Sequence, residues 1–293
     1  MKLKSIQVLA ATALLFAATW AQAAITCSIA QPSPGFSSAY VPGNPGINIT
    51  QTSFTVTCTR GLVTDATNVN YSVATNNGLT PGGGSNNAAF GGNLIKYDTY
   101  RDSGCSLRWK AGGNVFTLSM TLGAVGMPTS VETTYWGCIP AGQLGLPAGT
   151  YTDTVTMTLT AAGTTIVGAP FTFPVSIFTP SVCTITTAPG NIVFAYTAFQ
   201  AALATANITF GATCTNLLPY TMALDATSGV VSGLNYSLAI NTVNSGGSSP
   251  RASIGTGAAQ PFFINANMAA GQAGTCATGT CSATNTHTLT ITY

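Results

Sequence analysis

Short runs in which every second residue is apolar recur along most of this chain. Phe54, Val56 and Cys58 alternate with Ser and Thr, as do Val155, Met157 and Leu159, then Leu289, Ile291 and Tyr293. Apolar and β-branched positions at period two predict half-buried strands. Between the runs lie turn clusters such as Pro42-Gly-Asn-Pro-Gly46 and the long Asn76–Asn87 stretch,. Only Phe199 to Ala206 has a helical look, and it is short. Many short strands separated by turn signals predict an all-β chain built from two antiparallel β-sandwiches.

The pattern repeats itself. Cys27 to Cys58 spans 31 residues, and so does Cys183 to Cys214. Thr52–Cys58 resembles Asn207–Cys214, Tyr71–Gly78 resembles Tyr220–Gly229, and Ala141-Gly-Gln143 returns as Ala270-Gly-Gln272. Asp153–Leu159 returns as His287–Tyr293. The preserved order implies a duplicated domain rather than a short-period solenoid. The expected division is a leader over 1–23, a first domain over 24–179 and a second over 180–293. The leader expectation rests on Lys2 and Lys4, the apolar stretch Ile6–Ala18 and Ala21-Gln-Ala23, a small-x-small cleavage pattern,.

All eight cysteines, Cys27, Cys58, Cys105, Cys138, Cys183, Cys214, Cys276 and Cys281, lie beyond that leader. An even number in an exported chain predicts disulfides. The repeat implies Cys27–Cys58 and Cys183–Cys214; elimination leaves Cys105–Cys138 and Cys276–Cys281. Zinc would need CxxC pairs or histidine partners, and the sequence has neither,. No cofactor is expected.

Charge narrows the function. The 293 residues carry 8 basic and 6 acidic side chains. Without Lys2 and Lys4 the two signs balance, so no field exists to attract nucleic acid. Hydrophobic residues make up 46% of the chain, too many for disorder,. Catalysis is poorly supplied: one histidine, His287, has no sequence partner, and Asp65, Asp98, Asp102, Glu132, Asp153 and Asp225 form no obvious pair,. The chain reads as a non-enzyme. Pro81-Gly-Gly-Gly-Ser85 lacks the Lys-Ser/Thr of a phosphate loop and reads as a flexible loop. Arg101, Arg108 and Lys110, offset by Asp98 and Asp102, read as a solvated strand face. Trp109 and Trp136 read as packing beside cysteine bridges, Trp136 with the alternative of lining a sugar site.

Leu94–Asp102, Ala141-Gly-Gln143, Gly149–Thr158 and the early cysteine pair resemble the spore coat protein U domain family, and the second repeat matches through Cys183, Cys214, Tyr220, Ala270-Gly-Gln272 and Tyr293. The resemblance implies a subunit of an archaic chaperone–usher pilus, built as two tandem immunoglobulin-like, pilin-type sandwich domains. Partners would be a periplasmic chaperone, an outer-membrane usher and an adjacent pilin.

The two repeats end differently. Domain one continues after Leu159 into Phe171, Phe173, Val175 and Ile177, a plausible closing strand in which Pro174 suggests an edge or a bend,. Domain two stops at Tyr293 and is expected to lack its final strand, leaving Leu289, Ile291 and Tyr293 beside an open groove. Such a groove is filled by donor-strand complementation. A donor strand of its own would need roughly 33 Å of extended chain before the first domain, and Cys27 follows Ala24 almost at once. The expectation is therefore a tip subunit, exported through the periplasm to the cell surface. Tyr40, Val41, Val125, Met127, Leu144 and Leu146, apolar residues in Gly/Pro-rich loops, are the candidate contacts for a host or abiotic surface in attachment and biofilm formation. The bland reading is that they cap the core. Two alternatives stay open: an outer-membrane β-barrel, and a secreted carbohydrate-binding or spore-coat-like structural protein.

Overall fold

The computed structural model describes residues 25–30, 35–112, 114–276 and 279–293. The expected leader lies outside them. The first half contains β1 (Ile25–Ala30), β2 (Phe36–Ala39), β3 (Asn48–Thr59), β4 (Asn68–Thr75), β5 (Asn86–Phe90) and β6 (Asn93–Tyr100), followed by β7 (Phe116–Thr121), β8 (Pro128–Ile139), β9 (Gly149–Ala161), β10 (Thr164–Ile166) and β11 (Phe171–Thr179). The second contains β12 (Cys183–Thr187), β13 (Ala204–Cys214), β14 (Pro219–Leu224) and β15 (Ser228–Val231), then β16 (Leu234–Asn241), β17 (Arg251–Ile254), β18 (Ala259–Met268) and β19 (Leu289–Thr292). The described residues contain no α-helix. Phe199–Ala206 is a turn leading into β13, because Ala204 onward pairs residue for residue with β18.

In the first half, eleven strands join into one curled sheet folded into two layers. One layer runs β10-β1-β3-β8-β6; the other holds β5, β9, β11 and β2, with β4 beside β9 and β7 beyond β4. The alternating residues of β9 and β11, among them Tyr151, Val155, Met157, Phe171, Phe173, Val175 and Ile177, are buried in the shared core. Period two puts these on one face, and the threonines between them on the other. β2 tucks Phe36 so close to β8 that a side chain at Gly137 would overlap its ring. The position can only be glycine without displacing Phe36.

The second half packs a five-stranded sheet, β12-β13-β18-β16-β15, against a three-stranded one, β17-β14-β19. Phe210 and Phe262 from the larger sheet meet Tyr220 and Met222 from the smaller. In both halves the apolar residues converge on interior cores. A lipid-facing barrel would instead turn them outward.

Four disulfides close the described chain: Cys27–Cys58, Cys105–Cys138, Cys183–Cys214 and Cys276–Cys281. Cys27 faces Cys58 directly across β1 and β3, and Cys183 faces Cys214 across β12 and β13. The halves are linked tightly. Only Pro180, Ser181 and Val182 separate β11 from β12, and Thr215 grips that link: its hydroxyl donates to the Pro180 carbonyl and accepts from the Val182 amide. Asn216 Nδ2 then donates to the Gly145 carbonyl of the first half at 2.8 Å.

Candidate functional site: an open strand edge and two loop-bearing ends

A shared clamp shows how the halves correspond. Tyr40 and Tyr196 each stand thirteen residues after the first cysteine of their repeat. The Tyr40 hydroxyl accepts from the Gln143 amide and the Tyr196 hydroxyl from the Gln272 amide, both at 2.9 Å. Gln143 brackets the backbone of Lys96, as Gln272 brackets that of Asn235. The repeated Ala-Gly-Gln is therefore a structural bracket for β6 and β16. Its recurrence was visible in sequence, but its partners were not.

The halves part at one strand. In the first, β11 lies between β9, antiparallel over nine residue pairs, and β2, parallel over four. Pro174 comes immediately before the stretch that β2 pairs, so its missing N–H deprives no ladder on that side,. In the second half β19 pairs with β14, and among the described residues no strand lies on its other edge. Residues 192–195, at the same distance from Cys183 as β2 from Cys27, have no partner strand and form none. Ile192, Phe194, Leu289 and Ile291 pack against the second core only in part. Tyr293 is 58% exposed.

The strand register corrects one correspondence. Val73 pairs with Leu159 and Met222 with Ile291. With Tyr71 matched to Tyr220, Leu159 matches Ile291 and Asp153 matches Asn285, two residues from the His287 match read in sequence. The side chains agree: the Tyr97 hydroxyl donates to Asp153 at 2.6 Å, while Tyr236 contacts both Asn285 and His287. His287 is thus no lone edge residue. Its Nδ1 lies 2.8 Å from Asp225, and this hydrogen bond holds the Asp225 carboxyl below the usual carboxylate range,.

The candidate contact residues separate into two groups at opposite ends of the first half. Met127 precedes the start of β8 and Leu144 follows its end, a strand roughly 36 Å long. At the end beside the second half, Tyr40 is fully buried and Leu146 is 5% exposed. These two are core residues: the Tyr40 ring fills the end of the sandwich with its hydroxyl satisfied by Gln143, and Leu146 joins the same cluster. Val41 and Leu144 remain exposed there, on loops held together through Gly43, Asn44, Gly142 and Gln143. At the far end the loop carrying Val125 and Met127 is knitted to Arg60–Asp65. Gly126 N donates to the Arg60 carbonyl at 2.9 Å, and the Arg60 guanidinium reaches the carbonyls of Gly123, Val63 and Asp65. Val63 is 82% exposed and Met127 60%, with Leu62 and Val125 beside them. The sequence reading missed Leu62 and Val63. Their signal was the one used for Val125 and Met127: apolar residues between Gly61 and Asp65 in a turn.

The basic cluster also differs from expectation. Asp98 is 4% exposed and pairs with both Arg108 and Lys110. Arg108 and Lys110 also bind the Gly84 carbonyl, so the loop through Pro81–Ser85 is tied down by two cations. The solvated-face reading fails for Asp98 and Lys110, because residues distant in sequence converge here, whereas Arg101 stands apart and donates to the Val115 carbonyl. Every other carboxylate serves local structure. Asp65 and Asp102 accept backbone amides of their own turns, Asp153 takes Tyr97 and the Leu79 amide, and Glu132 takes the Ser53 hydroxyl. The Leu107 amide chiefly holds the Asp102 carboxyl below its ordinary value. Trp109 is buried among Phe54, Phe116 and Tyr135. Trp136 is half-buried on β8. Among the described residues no group of three or more His, Cys, Asp or Glu could hold a metal, and no helix is long and apolar enough to cross a membrane.

Compared with curated proteins, the sequence finds no match. Solved structures resemble it at low identity. A chain of the CsuC–CsuE chaperone–tip adhesion subunit pre-assembly complex, from the archaic chaperone-usher Csu pili of Acinetobacter baumannii, is 14% identical with a TM-score of 0.43; the match covers 91% of this chain and 100% of that one. The CupB6 tip adhesin of Pseudomonas aeruginosa is 12% identical with a TM-score of 0.41, covering 92% and 94%. The family model of the Spore Coat Protein U domain matches twice, over residues 11–158 and 169–258. With each half carrying its own paired cysteines, tyrosine–glutamine bracket and matching stretch, the chain belongs to the spore coat protein U domain family.

Proposed function

We propose that the protein is an exported adhesive subunit of a chaperone–usher pilus and sits at the fibre tip. Residues 24–179 act as a self-closed adhesive domain, and residues 180–293 act as an acceptor domain. The observation that carries this reading is that β19, with one edge free among the described residues, and the strandless segment 192–195 both lie against the second core, and they are the counterparts of the two strands, β9 and β2, that flank β11 in the first half. An unpaired edge beside partly covered Leu289 and Ile291 favours addition of a strand from another chain. The arrangement of β11 gives the expected geometry: the incoming strand runs antiparallel to β19 and parallel to 192–195. A periplasmic chaperone supplies that strand first, and a neighbouring pilin replaces it at the outer-membrane usher. The first domain, closed by its own β11, offers no second groove, which suits a terminal position.

Adhesion falls to the far end of the first domain, where Leu62, Val63, Val125 and Met127 project from two hydrogen-bonded loops. Apolar side chains held on rigid turns suit attachment to a hydrophobic host or abiotic surface, the step that begins a biofilm. The test of the assembly role is co-expression with candidate periplasmic chaperones. A one-to-one complex formed through the second domain is expected, with poor recovery of the chain alone. Recovery of a stable monomer that binds no chaperone would defeat the groove assignment.

The adhesive loops have their own test. Val63→Ser together with Met127→Ser should lower attachment to hydrophobic surfaces severalfold and leave Tm within about 2 °C, since exposed sites away from the core contribute little to stability. Leu144→Ser, at the opposite end, should leave attachment unchanged. Equal losses in both variants would disprove the assignment to the far end.

A further inference from the structure

The buried cluster around Asp98 brings together an amine, a carboxamide and a carboxylate. Lys110 Nζ lies 3.0 Å from Asp98 Oδ1 on β6 and 3.1 Å from Asn86 Oδ1 on β5. It also donates to Asn77 Oδ1 and the Gly84 carbonyl. Asn86 is fully buried, and the Lys110 and Asp98 side chains are 13% and 6% exposed. Asn86 Nδ2 is buried with the Tyr97 hydroxyl nearby, but makes no hydrogen bond of good geometry. That is a costly state for a donor. Arg108 occupies Asp98 as well, so two cations share one carboxylate.

We infer that Lys110 and Asn86 become joined by an isopeptide bond, with Asp98 carrying the proton. The Lys110 ammonium passes a proton to Asp98, which frees the amine lone pair. That lone pair forms a bond to Asn86 Cγ, and the Cγ–Nδ2 bond breaks. Asp98 returns its proton to the departing nitrogen, and the nitrogen takes up the proton released by the new amide. The products are a Lys110–Asn86 amide, one ammonium ion and Asp98 as the carboxylate. Nothing is oxidised or reduced. The reaction expels the poorly satisfied nitrogen of the cluster and leaves Asp98 paired with Arg108 alone, so charge within the cluster balances. Reactants held in contact in a water-poor site have a high effective concentration, and Asp98 stands within reach of the amine whose proton must move. Asn77, although also near Nζ, is only half-buried. Asn86 is the favoured partner.

Intact mass of the full exported chain, purified with its chaperone and all disulfides formed, tests the bond directly. The wild type should be lighter than its processed sequence by one ammonia, and fragmentation should find Lys110 cross-linked to Asn86. Lys110→Arg and Asp98→Ala should retain the ammonia. A wild-type mass with no ammonia missing would overturn the inference even if neither variant folds. So would an ammonia loss without a cross-link, as succinimide formation at Asn77-Gly78 would give, or a cross-link located at Asn77.

Discussion

Replacing Trp109 with alanine is expected to destabilise the first half by about 3–5 kcal/mol, the range for removing a buried aromatic. The indole is fully buried. It stacks on Phe54 at 5.1 Å and meets Phe116 and Tyr135 edge-on at 5.1 and 5.0 Å. Its Nε1 donates to the Val73 carbonyl at 2.7 Å, tying the segment after β6 to β4. Three aromatic rings from three strands thus close around one side chain, and none can relax into the void without breaking other contacts,. A domain of this size should lose roughly 8–15 °C in Tm. Trp109→Phe, which keeps most of the ring volume but loses the Val73 hydrogen bond, should cost markedly less. Thermal unfolding followed by circular dichroism decides this; a Tm within a few degrees of wild type for the alanine variant would mean that the aromatic cluster is not the keystone of this core.

Truncating Leu289 and Ile291 together to alanine should abolish recovery of the chaperone complex. Each side chain is half-covered in the described chain, lying on β19 opposite Leu224 and Met222. Burying the remainder under an added strand contributes on the order of 1–2 kcal/mol apiece. Losing both weakens binding by about a hundredfold. Thr290→Ala with Thr292→Ala, on the opposite face of the same strand, should leave the complex intact and so separate groove contacts from general damage to β19. Met127→Ser should also bind normally. Chaperone co-purified per mole of protein is the measurement. Undiminished binding by the Leu289/Ile291 variant would move the acceptor surface elsewhere.

How far the sequence could be read depended on whether a feature was periodic or convergent. The alternation in β9 and β11 and the repeated cysteine spacing are local, so the two-fold β architecture was legible. The match of His287 with Asp153 failed for a specific reason. In a strand written Thr-x-Thr-x, a slide of two residues keeps every side chain on its own face, so pattern alone does not fix register. Pairing with β14 does. Sequence left Tyr40 and Leu146 between surface contact and core cap, because a Gly/Pro-rich turn reports backbone direction and says nothing of where a neighbouring side chain points; their burial matches the core cap. The Asp98–Arg108–Lys110 cluster was illegible as a buried site, since its acceptors Asn77, Gly84 and Asn86 lie 24 to 33 residues away in sequence from Lys110.

The three-residue link between β11 and β12 leaves no slack between the halves. The covalent path of a pull on the second half enters the first at Thr179, along the axis of β11. Because β11 lies antiparallel to β9 over nine residue pairs, that tension acts in shear, and the rungs must give way together rather than peel one by one. The strand that closes the first half is thus also the cable through which that half is pulled.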